Sequence, residues 1–142
     1  MQSILEDLKK LKDIYTETVT FKLGKELKLT LKLLTSEEET EVHSFSAQYE
    51  KGLGYLYSVK RETILRSIIT LNGNTIPDII EDGVEKVQKH IWLRENVVKG
   101  WSQVLIDEIW NKYAELLTNL ESKINLDLKE EVPADENGEK EV

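Results

Sequence analysis

Glu37, Glu38, Glu39 and Glu41 crowd into five residues, and four carboxylates so close together can suggest a divalent-metal site. No oxygen-ligand loop accompanies them. They follow Thr35-Ser36, and Thr35-x-x-Glu38 matches the capping box that opens a helix. Acids in a helix's first turn are stabilised by its dipole, each by about 0.3–1 kcal/mol when exposed. The cluster is therefore expected to start a helix. His43 and Ser44 lie on the same helix, but adjacent helical residues point about 100° apart, too far for a base to meet a nucleophile. His90 is far off in the chain, and the two histidines lack metal-ligand spacing.

Gly52 and Gly54 fit neither a dinucleotide fingerprint nor a Walker loop, and there is no nucleophile elbow or H-E-x-x-H. The absence of cysteine excludes disulfides and thiolate metal sites. The expectation is a protein without cofactor, metal or enzymatic activity. What the sequence does offer is apolar contact surface. Trp92, Trp101 and Trp110 recur every nine residues, half a turn out of phase, so they do not share one helical face. Tryptophan is enriched at interface hot spots, which makes these three, with Tyr113 and Leu117, the candidate protein-interface residues.

The elements that must position them are legible from periodicity. Leu27, Leu29, Leu31 and Leu33 alternate with Lys28, Thr30 and Lys32, the pattern of a strand buried on one face. The preceding strand pairs with it in a hairpin over 18–34. A two-residue turn at Gly24-Lys25 would set Phe21 against Lys28 and Leu23 against Glu26. Pairing Val19 with Leu31, Phe21 with Leu29 and Leu23 with Leu27 gathers one apolar face instead. That register predicts a three-residue loop, Gly24-Lys25-Glu26, or a bulge.

Helices are expected at about 36–50, 53–71, 83–99 and 101–124, with Lys60, Arg61, Glu62 and Arg66 on a solvated face. Ile68 to Leu71 is also β-prone, and Asn72-Gly73 reads as a helix C-cap or tight turn. Residues 1–17 form an N-terminal helical arm with Ile4, Leu8, Leu11 and Tyr15 at helical spacing and Ser3-x-x-Glu6 as a second capping box. The fold class is α+β, mostly α: an N-terminal helix, one β-hairpin and three to four helices packed on it. The hairpin and its helices make a single domain over 18–126, followed by an acidic disordered tail over 127–142.

The chain of 142 residues carries a net charge of −8, against the clustered basic side chains that nucleic-acid binding needs. Between 127 and 142 seven acids oppose two lysines, a net of −5, leaving about −3 for the other 126 residues. The longest apolar runs span only a few residues, which excludes a membrane segment, and no signal peptide core is present. A cytosolic protein is expected.

The order of pieces resembles a known group. FKLGKELKLTLKLLT leads into EEETEV, then KRETILRSIITLNGNTIP, then WSQVLIDEIWNKYAELLTNLE. This is similar to the small tail-assembly chaperones and baseplate-hub assembly proteins of tailed bacteriophages, with Ile68 to Gly73 and Val104 to Leu116 carrying the match. The resemblance implies a non-enzymatic factor in the cytoplasm of the infected bacterial host that binds another tail component (tape measure, tube or hub protein), as a homo- or hetero-oligomer. The alternatives are a permanent adaptor of the virion, in baseplate or neck, and a small enzyme.

Overall fold

The computed structural model describes residues 2–130. Its elements run α1 (Gln2–Ile14), β1 (Thr18–Leu23), β2 (Leu27–Lys32), α2 (Ser36–Ser46), α3 (Leu53–Ser67), β3 (Ile68–Leu71), β4 (Asn74–Thr75), β5 (Ile79–Asp82), β6 (Glu85–Gln88), α4 (Lys89–Asn96) and α5 (Gln103–Glu130). The class is α+β and mostly helical, as expected.

The hairpin takes the register that unites its leucines. Val19 faces Leu31, Phe21 faces Leu29 and Leu23 faces Leu27 around the Gly24-Lys25-Glu26 loop, whose glycine supplies a φ of +71°. Leu29 and Leu31 are buried, Val19, Phe21 and Leu23 pack against the same core, and Thr18, Thr20, Lys22 and Lys28 face water. The capping box also forms. Thr35 Oγ1 accepts from the Glu38 backbone N–H at 3.2 Å, and Glu38 Oε1 accepts from the Thr35 N–H at 2.9 Å.

The sheet extends beyond that hairpin. The helix expected over 53–71 stops at Ser67, and Ile68 turns extended and opens β3, which pairs antiparallel with β2. Two isoleucines and a threonine crowd a helix but fit a pleated surface, and β2 offers an open edge. Asn72 and Gly73 both adopt positive φ, 54° and 83°, and reverse the chain into β4. The main sheet therefore has four strands in the order β1-β2-β3-β4.

The helix expected over 83–99 begins only at Lys89, as α4. Before it, β5 and β6 form a separate two-stranded hairpin that turns through Gly83-Val84. The helical spacing of Val84, Val87 and Ile91 is outweighed by β-branched Ile79-Ile80 ahead of a glycine at φ +70°. Val84 stands fully exposed at the tip. Ser3 lies inside α1, so it does not cap that helix in the expected way. Residues 127–130, expected in the tail, continue α5, and 131–142 lie outside the described residues.

The core lies between the sheet and the second half of α3, with Leu31, Val42, Ile64, Leu65, Val98, Ile106 and Ile109 almost wholly buried. Each such side chain contributes about 1.5–3 kcal/mol by leaving water. The first half of α3 projects past this core. Leu53, Leu56 and Tyr57 are exposed there, although they stand at helical spacing. Where α2 and α3 cross, two small residues let them close: Ser46 Oγ and Ser58 Oγ share a buried hydrogen bond of 2.8 Å. Among the described residues no helix is long and apolar enough to cross a membrane.

Candidate functional site

Two sites emerge from this packing, one apolar and one charged. The apolar site is a cleft of about 430 Å³. Its floor is the end of the sheet: Leu23, Leu27 and Leu29 from the ribbon, Ile68 and Leu71 from β3. Its wall is Trp92, Leu93, Val97, Trp101 and Leu105, from α4, the connection that follows it and the start of α5. Ile76 and Ile80 reach over from the strand connection and the β5–β6 hairpin. Leu27 and Leu71 are left partly open to water at its mouth. The rim is polar at one point, where Trp92 Nε1 donates to Asp82 Oδ2 at 3.3 Å, tying α4 to the hairpin. A cleft this size with so few polar groups suits aliphatic or aromatic side chains of a bound segment and offers no group for general acid–base work.

The charged site grows from Glu62, which the sequence pattern placed on a solvated face and which is fully buried. Arg94 grips its carboxylate with Nε on Oε2 at 2.8 Å and Nη2 on Oε1 at 2.5 Å, and Arg66 Nη1 adds a bond to Oε1 at 3.0 Å. Arg66 also donates from Nε to Glu41 at 3.1 Å, so α2, α3 and α4 meet in one ionic network. The Arg94 guanidinium stacks over Phe45 at 4.1 Å from the ring centre. Burial pushes the Glu62 carboxyl upward, but the bonds and charges of Arg94 and Arg66 outweigh it and hold the group below its usual value.

Beside this network a cavity of about 250 Å³ is lined by Lys32, Glu38, Glu41, Arg66, Asp78, Lys89 and His90. It brings one imidazole near carboxylates and ammonium groups. Its charges are largely paired already: Lys32 Nζ with Glu38 at 2.6 Å, and Arg66 with Glu41. Lys89 is buried and its Nζ donates to the Ile68 carbonyl at 2.7 Å. Desolvation lowers its pKa, helped by the Lys32 charge and opposed by Asp78 and Glu38. Burial likewise lowers His90, with Arg66 and Arg94 adding to the effect and Glu41 and Glu62 opposing it. His43, on α2, is exposed and shares a 2.6 Å hydrogen bond with the Tyr55 hydroxyl. Among the described residues no three His, Asp or Glu side chains converge to hold a metal ion.

The five interface candidates separate. Trp92 and Trp101 meet in the apolar cleft despite being half a turn out of phase, because they stand on different elements. Trp110 and Tyr113 stack on each other on α5, with ring centres 5.7 Å apart. Tyr113 is buried, and its hydroxyl accepts from the Leu34 N–H at 3.1 Å, which leaves it inside the body. Leu117 is exposed and lines a second groove, with Leu33, Leu120 and Tyr15. The ionic network was missed, and its one sequence signal is the i, i+4 spacing of Glu62 and Arg66. No family model matches this chain, and no curated protein or solved structure matches it.

Proposed function

We propose that this protein is a non-enzymatic, chaperone-like binding factor of bacteriophage tail or baseplate assembly that takes an apolar segment of another tail protein into the Trp92–Trp101 cleft. The cleft is the observation that carries this reading: an apolar cavity of about 430 Å³ walled by two tryptophans. The two stretches that resemble tail-assembly chaperones both contribute to it, Ile68 and Leu71 from one and Leu105 from the other. On this reading the partner is a tape-measure, tube or hub component, and the protein acts in the cytoplasm of the infected host.

The test is co-expression of the tagged protein with each tail component encoded beside it. Wild type should capture one of them. Trp101→Glu, which puts a charge on the cleft wall, should lose that capture while the circular dichroism melt stays close to wild type. Capture unaffected by Trp101→Glu would overturn the reading. Mass spectrometry of purified particles then separates a transient chaperone, absent from them, from a permanent baseplate or neck component. A catalytic reading has His90 and Lys89 in the charged cavity in its favour, but the pairing of Glu38 and Glu41 to Lys32 and Arg66 leaves fewer free carboxylates for proton transfer.

A further inference from the structure

Helix α1 has no buried residue. Ile4, Leu5, Leu8, Leu11 and Ile14 are each about half exposed along its thirteen residues. Helices of this length are marginal in water without tertiary packing, so an apolar stripe on such a helix has to be covered for the helix to persist. Polar contacts to the body gather at its C-terminal end: Tyr15 Oη donates to Asp127 at 2.7 Å, and Lys123 Nζ donates to the Ile14 carbonyl at 3.0 Å. These anchor the C-terminal end of α1 on α5 and leave the stripe open.

The pattern of the stripe says what covers it. Ile4, Leu8, Leu11 and Tyr15 alternate by four and three, which are successive d, a, d and a positions of a heptad. Asp7 then stands at g and Lys12 at e, on opposite flanks of the seam. In a parallel pair of identical helices, a g residue faces the e residue five positions later in the other chain. Asp7 of each copy is then set against Lys12 of the other, twice by symmetry. In an antiparallel pair the flanks match e with e and g with g. That would oppose Leu5 to Lys12 and Asp7 to Ile14, apolar against charged on both sides. Among the described residues the only ion pair of Asp7 is an exposed 3.4 Å link to Lys10 on the same helix, weak enough to be exchanged for such a contact.

We infer that α1 is a self-association helix that pairs in parallel with α1 of a second copy of this chain through the Leu8–Leu11 seam and reciprocal Asp7–Lys12 ion pairs. A two-fold pairing of this kind places both bodies at the same end of the helical pair, each carrying its own apolar cleft.

Sedimentation equilibrium of the full chain tests this. The wild type should run as a dimer of the 16.4 kDa chain at tens of micromolar. Leu8→Asp should make it a monomer without changing the thermal melt of the body. Asp7→Lys and Lys12→Asp, each alone, should weaken association at least tenfold at low salt, because each sets like charges together. An equimolar mixture of those two variants should recover a dimer of mixed composition, which only the parallel arrangement permits. A wild type that stays monomeric at several hundred micromolar overturns the inference, and so does a dimer indifferent to Leu8→Asp. A mixture no tighter than its separate components overturns the parallel pairing. The Trp101→Glu variant should dimerise as wild type does, so the outcome is independent of the cleft.

Discussion

Arg94 closes on Glu62 in a two-pronged grip, Nε to Oε2 at 2.8 Å and Nη2 to Oε1 at 2.5 Å, around a carboxylate that water does not reach. The pair joins α4 to α3, and through Arg66 the same carboxylate is tied back to Glu41 on α2. Three helices thus depend on one buried charge being balanced.

Glu62→Ala removes the anion, strands the Arg94 guanidinium and leaves the almost fully buried Arg66 with Glu41 as its remaining carboxylate. Breaking a buried pair from one side costs about 3–5 kcal/mol, and a loss of that size is expected in urea unfolding. Replacing Glu62, Arg66 and Arg94 together by apolar residues of similar volume should cost much less, because the desolvation penalty disappears with the charges. A triple variant as unstable as Glu62→Ala would show that the network holds the helices by specific geometry rather than by charge balance.

Acid should unfold the protein in two stages. His90 is held below its ordinary value of 6.5, so the unfolded chain binds the extra proton first, and stability falls as pH drops from about that value toward the folded pKa. Glu62 is held below its ordinary 4.5, so its contribution is complete above that pH and is lost as pH falls through the folded pKa. Chemical denaturation from pH 8 to 3 should show both limbs. His90→Gln should flatten the upper limb and leave the lower one.

Thr35→Ala deletes the oxygen that accepts from the Glu38 N–H and should cost about 0.5–2 kcal/mol. Glu38→Ala should cost more than an ordinary exposed glutamate, because Glu38 also serves Lys32 at 2.6 Å. Equal losses for the two variants would mean that the link to Lys32 adds nothing. A thermal melt of each variant decides it.

The β5–β6 hairpin makes its main contacts with α4 and is tied there by Trp92 Nε1 to Asp82 and by the Lys89 N–H to the Asp78 carbonyl at 2.8 Å. Amide exchange should therefore be faster over Ile79–Asp82 and Glu85–Gln88 than in the β1–β2 ribbon. Trp92→Phe, which keeps the ring in the cleft and removes the donor, should accelerate the hairpin further without changing exchange in Leu29 or Leu31.

The local patterns of the chain were enough to determine the β1–β2 register and the capping box, because each is decided by residues close together in the chain, whereas they left a three-residue loop and a bulge both open at Gly24-Lys25-Glu26. Leucines at period two have only one pairing that gathers them on one side, and Thr35 reaches Glu38 within its own turn. The α+β class followed from the same alternations. Strand β3 and the β5–β6 hairpin required the tertiary structure: Ile68–Leu71 could end a helix until β2 offered an edge, and Val84–Val87–Ile91 has helical spacing although its first member sits at a turn. The burial of Glu62 could not be read from its neighbours at all. Arg94 comes from another helix, thirty-two positions on, and only when α4 docks does a charge that looks solvated find the partners that make its burial affordable. Trp92 and Trp101 are the same case for the cleft: out of phase along the chain, they meet because a turn between α4 and α5 swings them onto one wall.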